Sequence, residues 1–118
     1  MKLTEIVKEL SLEVLSGCNL NQDVQYGYIS DILSDVMARS PKTALWITNQ
    51  THENILALVY FKSLSGVILP EGLMLEESLL KLAQEKKISI FSTQHTAFDI
   101  AGRLYELGLR GRESGEMV

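Results

Sequence analysis

From residue 44 onward, short apolar runs and amphipathic stretches take turns with little chain between them. Ala44 to Thr48, Gly66 to Leu69 and Ile88 to Phe91 read as strands, and the stretches 51–63, 75–86 and 96–107 read as helices. In the second of these, Leu75, Leu79, Leu82 and Ala83 share one face, while Glu76, Glu77, Lys81, Glu85 and Lys86 turn mostly to water. The segment Thr51 to Lys62 is ambiguous by composition, because the run from Ile55 to Phe61 would also suit a buried strand. Its length with the polar lead-in decides for a helix. Strands separated by helices pair in parallel through right-handed crossovers. The fold class is therefore α/β: a single small domain with a mainly parallel sheet and flanking helices.

The first forty residues are less regular. Thr4 is placed as an N-cap for a helix over 4–10, and Leu12 to Leu15 reads as a strand ended by Ser16-Gly17. Val24 to Ile29 is a further strand, after which Ser30 caps a helix striped by Ile32, Leu33, Val36 and Met37 and closed by Ser40-Pro41. This half should supply one or two edge strands and two helices. Gly108 suits the stop of the last helix. The domain is expected over 1–108, with 109–118 as a loose tail.

Composition narrows the class of function. With 118 residues, 46% of them hydrophobic, the chain can close one core and hide roughly 65% of its unfolded surface. Eleven basic against fifteen acidic residues give a net charge of −4, which provides no bulk attraction to a nucleic acid polymer or an anionic membrane. The single Cys18 cannot form an internal disulfide. No apolar stretch approaches the roughly 20 residues of a spanning helix, and the chain reads as cytoplasmic.

In such a sheet the carboxyl ends of the strands and the starts of the following helices gather along one edge, where ligands of open α/β folds usually sit. The candidate ligand-binding residues are those the turns bring there: Ser30, Asp31, Thr48, Gln50, Thr51, His52, Asn54, Ser92, Thr93, His95 and Thr96. Ser30, Thr51 and Thr96 are equally suited to capping helices, and His52 and His95 to standing beside a cap. Both polar groups should emerge on the same side of the sheet, so that Thr48, Gln50, His52, Asn54, Ser92 and His95 lie close together. Two histidines 43 positions apart match no metal-ligand spacing, and no glycine-rich phosphate loop precedes a helix. No nucleophile stands near either histidine in sequence. No metal, cofactor or catalytic residue is assigned. Trp46 is placed in the core, and Leu58 and Val59 are expected to be buried. Tyr60 and Phe61 test whether that helix's far end belongs to the core or to a subunit seam.

Three blocks in order, Tyr28 to Met37, Leu45 to Ile55 and Ile90 to Ala101, resemble those of the DRTGG domain over roughly residues 1–108. The five-letter string that names the family is absent, and the turn Val67 to Gly72 reads Val-Ile-Leu-Pro-Glu-Gly where relatives often have a glycine pair. The resemblance implies an α/β fold like the N-terminal domain of HPr kinase/phosphorylase, a regulatory role inside larger proteins and a part in dimer formation. Short stand-alone versions are associated with iron-only hydrogenase systems. It carries no catalytic residue to this chain.

The leading expectation is thus a non-catalytic regulatory or protein-interaction module, a homodimer with a possible protein partner. The alternatives are a sensor of a nucleotide or another small anionic, phosphorylated metabolite, and a small enzyme with His52 or His95 as base.

Overall fold

A computed structural model of the chain describes residues 1–112. The elements run α1 (Leu3–Glu9), β1 (Glu13–Ser16), β2 (Gly27–Ile29), α2 (Leu33–Arg39), β3 (Leu45–Ile47), α3 (Asn54–Lys62), β4 (Gly66–Leu69), α4 (Glu77–Glu85), β5 (Ile90–Ser92) and α5 (Ala97–Glu106). They form one five-stranded sheet in the order β1-β5-β4-β3-β2. The strands β2 to β5 are parallel, and β1 lies antiparallel to β5. The expected α/β class holds, and the first forty residues supply two helices and both edge strands.

Every residue of β3, β4 and β5 is buried, as continuous apolar runs in a parallel sheet covered on both faces require. Above one face, Val36 of α2, Leu56 and Val59 of α3 and Ala83 of α4 pack on Trp46, Val67 and Ile90. Below the other, Leu3 and Ile6 of α1 and Ile100 and Leu104 of α5 pack on Leu45, Ile68 and Phe91. Trp46 is fully buried, and Leu58 and Val59 are buried as expected. The strand order moves one step at a time in one direction from β2 to β5, and crossovers of one hand then place α2, α3 and α4 on the same face.

Four helices end in the same way. After α1, α3, α4 and α5 comes a residue at positive φ: Ser11, Ser63, Lys87 and Gly108. The next residue, Leu12, Leu64, Ile88 or Leu109, donates its N–H five residues back, to Val7, Val59, Ala83 or Leu104, and is buried. This is the Schellman arrangement, in which the left-handed residue turns the chain and the apolar one returns it to the core. Only at Gly108 does the residue type advertise it.

That turn alters the expected end of the domain. Leu109 is buried in the lower core. Arg110 donates to the Gln25 carbonyl at 3.1 Å and accepts from the Gly27 N–H at 3.0 Å. The packed chain therefore runs past 108, while residues 113–118 of the expected tail lie outside the described residues.

Two caps differ from expectation at this level. Thr4 lies inside α1, whose start is held instead by Glu5 Oε1 accepting from the Lys2 N–H at 3.2 Å. Ser30 stands before the N-cap position of α2, taken by Ile32, and its hydroxyl accepts from the Ile32 N–H at 3.1 Å. It closes a turn two residues long rather than the helix itself.

Candidate functional site

Because β2 to β5 are parallel, the segments after them all emerge on one side, and the turns carrying His52 and His95 share that edge as expected. The loops there are joined in pairs. After β2 and β3, Asp31 Oδ1 accepts from the Thr48 hydroxyl at 2.9 Å and from the Asn49 N–H at 2.7 Å, while Oδ2 accepts from Asn49 Nδ2 at 3.1 Å. Gln50 Nε2 donates to the Asp31 carbonyl at 2.9 Å, and the Gln50 N–H donates to Thr48 Oγ1 at 3.1 Å. The Asn49 N–H holds the Asp31 carboxyl below its ordinary range, and the Thr48 hydroxyl and Asn49 amide add to this against an opposing effect of burial. Trp46 Nε1 donates to the Ser30 carbonyl at 2.9 Å, fixing the same loop from beneath.

The second pair follows β4 and β5. Ser92 Oγ donates to the Leu73 carbonyl at 3.1 Å. The Glu71 N–H donates to the His95 carbonyl at 2.9 Å and the Gly72 N–H to the Thr93 carbonyl at 2.8 Å. Thr93 Oγ1 accepts from the His95 N–H at 3.2 Å. Thr96 is the N-cap of α5 and accepts from the Asp99 N–H at 3.1 Å, as its position in sequence predicts.

Thr51 does not cap α3. That helix starts at Asn54 with Glu53 before it and no side-chain cap. His52 does the local work: its Nδ1 accepts from the Asn54 N–H at 3.2 Å, and its carbonyl accepts from Ile55. Starting the helix three residues later exposes Thr51 and leaves the turn to the imidazole.

Asp31, Thr48 and Gln50 are thus brought into one network with Asn49, Ser30 bonds instead to Ile32 and Trp46, and Ser92, Thr93 and His95 join another with residues 71–73. The first follows β2 and β3 and the second β4 and β5, so β4 stands between the strands that lead into the turns of His52 and His95. A sheet that winds one way has no reversal of strand order among its parallel strands, and it is such a reversal that parts neighbouring loops into a crevice. Asn49 and the carbonyl of Leu73 are central to these networks, and no spacing rule marks either. Among the described residues, no cluster of three His, Cys, Asp or Glu side chains is placed to hold a metal, and no helix is long and apolar enough to cross a membrane.

The fold has a solved counterpart. The structure of the CBS and DRTGG domains of the regulatory region of Clostridium perfringens pyrophosphatase, complexed with its activator diadenosine tetraphosphate, superposes with a TM-score of 0.67 at 18% identity. The match covers 99% of this chain and 52% of that one, so the present chain spans about half of its neighbour's length. No curated protein matches the chain. The DRTGG domain matches residues 5–107, nearly all of the packed structure and the three blocks on which the resemblance rests. With its fold and sequence in agreement, the chain belongs to the DRTGG domain family.

Proposed function

We propose that the chain is a non-catalytic regulatory module, a cytoplasmic homodimer that responds to a nucleotide or another phosphorylated metabolite. One observation carries the reading: at the strand-end edge Asp31, Thr48, Asn49 and Gln50 are bonded among themselves, and the hydroxyls of Ser92, Thr93 and Thr96 are bonded to backbone groups. A base acting on a nucleophile needs the two within hydrogen-bond reach. Here the Nδ1 of His52 accepts a backbone N–H and Ser92 donates to a carbonyl, while Asp31, which accepts from Thr48, is also held by the Asn49 N–H with its carboxyl lowered, which makes it a weak base. Such a scaffold fixes loops, which suits a regulatory module better than a catalyst. The nucleotide activator bound in the pyrophosphatase neighbour lends support to the ligand class.

Exposed apolar side chains favour a second copy as partner. Phe98 and Tyr105 are seven residues apart on α5, hence on one face, and are 85% and 60% exposed. Light scattering over a concentration series tests the dimer, with Phe98→Glu expected to yield folded monomers. A thermal-shift series with nucleotides tests the ligand, since a ligand at a hundred times its Kd stabilises by about 2.7 kcal/mol. The association with an iron-only hydrogenase system rests on the family resemblance, and co-purification from the native cell tests it.

A further inference from the structure

Three cations of an acidic chain meet in one cleft at the end of the sheet opposite the strand-end edge. The cleft has a volume of about 700 Å³ and is lined by Tyr26, Tyr28, Arg39, Lys42 and Arg112, with Pro41 beside them. Small-molecule sites commonly enclose roughly 300–1,000 Å³. Three distant segments build it. Tyr26 and Tyr28, two residues apart in and before β2, project to the same face of the sheet, where both pack against the upper core. Arg39 ends α2, and Lys42 lies just before β3. Arg112 arrives because the turn at Gly108 returns the chain along β2, where Arg110 bonds to Gln25 and Gly27.

Asp35 is bonded to two of these groups. It accepts from the Tyr28 hydroxyl at 2.9 Å and pairs with Arg39 at 3.5 Å. Burial, then Asp35, raises the Tyr28 phenol above its ordinary range, so it remains a donor. Lys42 and Arg112 are exposed, and among the described residues the ion pairs are Lys2–Asp23 and Arg39–Asp35. Gathering like charges costs repulsion that the fold does not require, since neither side chain packs in the core. Cations beside aromatic rings match a ligand with phosphate at one end and a flat ring at the other.

We propose that this cleft binds a nucleoside phosphate, with Lys42 and Arg112 on its phosphate groups and the rings of Tyr26 and Tyr28 against its base. The proposal rests on the phosphorylated-ligand reading above and gives it a location different from the strand-end edge.

Calorimetric titration of the full chain with ADP, adenosine and inorganic pyrophosphate tests it. ADP should bind more tightly than either fragment, with an affinity that falls as salt rises. Lys42→Glu and Arg112→Glu should each weaken ADP by about tenfold or more. Lys8→Glu on the exposed side of α1 makes the same change in net charge and should leave binding within about twofold. Circular dichroism confirms that each variant is folded. Equal ADP affinity in the wild type and both cleft variants would overturn the cleft, as would loss of binding in His52→Ala or His95→Ala with the cleft variants unaffected. In those two cases the regulatory reading stands. A wild-type chain that binds none of the three ligands overturns the cleft and the phosphorylated-ligand reading together.

Discussion

Asp31 accepts the hydroxyl hydrogen of Thr48 at 2.9 Å across 17 positions of sequence, tying the end of β2 to the end of β3. The same carboxylate takes the Asn49 N–H at 2.7 Å, so one side chain organises both loops.

A pH dependence follows from that arrangement. The folded Asp31 carboxyl lies below its ordinary value of 3.8, chiefly through the Asn49 N–H. A carboxyl depressed by folding stabilises the fold above its unfolded pKa, and the gain is lost as pH falls through the folded value. Asp31→Ala should cost about 1 kcal/mol at neutral pH, a figure kept low because the side chain is exposed. Urea denaturation of wild type and variant should show the gap shrinking below the ordinary carboxylate range. A gap of constant size would mean the carboxylate charge is not involved.

The two threonines once equally suited to capping should behave differently. Thr96 accepts from the Asp99 N–H, so Thr96→Ala should lower stability by about 1 kcal/mol. Thr51 is exposed and precedes the start of α3, so Thr51→Ala should change it by less than about 0.5 kcal/mol. Chemical denaturation of both variants decides, and equal losses would restore Thr51 as a cap.

Gly66 and Gly108 resist a methyl group for different reasons. A Cβ at Gly66 would stand 3.0 Å from Phe91 Cε2 and 3.1 Å from the Ser89 carbonyl oxygen, in the middle of the sheet. Gly66→Ala should cost about 1–3 kcal/mol by overpacking. At Gly108 the space is open but φ is +109°, so Gly108→Ala should cost about 1–2 kcal/mol through the backbone alone. Serine at each site separates the causes by melting temperature: the larger side chain should worsen position 66 and add little at 108.

Phe61, 71% exposed at the end of α3, is expected to tolerate a charge. Phe61→Glu should leave the fold within about 0.5 kcal/mol of wild type. The Trp46 emission, buried in the native chain, is the probe, and it should shift to the red at the same denaturant concentration in both proteins. Sedimentation of the folded variant then shows whether this end of α3 takes part in self-association.

The alternation of apolar runs and amphipathic stretches after residue 44 was enough to determine the parallel sheet and its helices, because each run had one length and one period to fit. Thr96 was readable too, since its acceptor role needs only a neighbour three residues on. What the sequence left open depends on contacts between distant segments. Ser63 and Lys87 look like ordinary polar residues; packing of Leu64 and Ile88 holds them at positive φ. Leu109 reads as the start of a tail until the turn at Gly108 places it against Leu104. The strand-end residues read as one edge because parallel strands send their following turns to the same side, but which loops meet depends on strand order. Here that order runs one way, and the loops close on each other in pairs. The cleft of Tyr28, Lys42 and Arg112 has no mark in sequence at all: its lining comes from three separate segments, and only the folded chain brings them together.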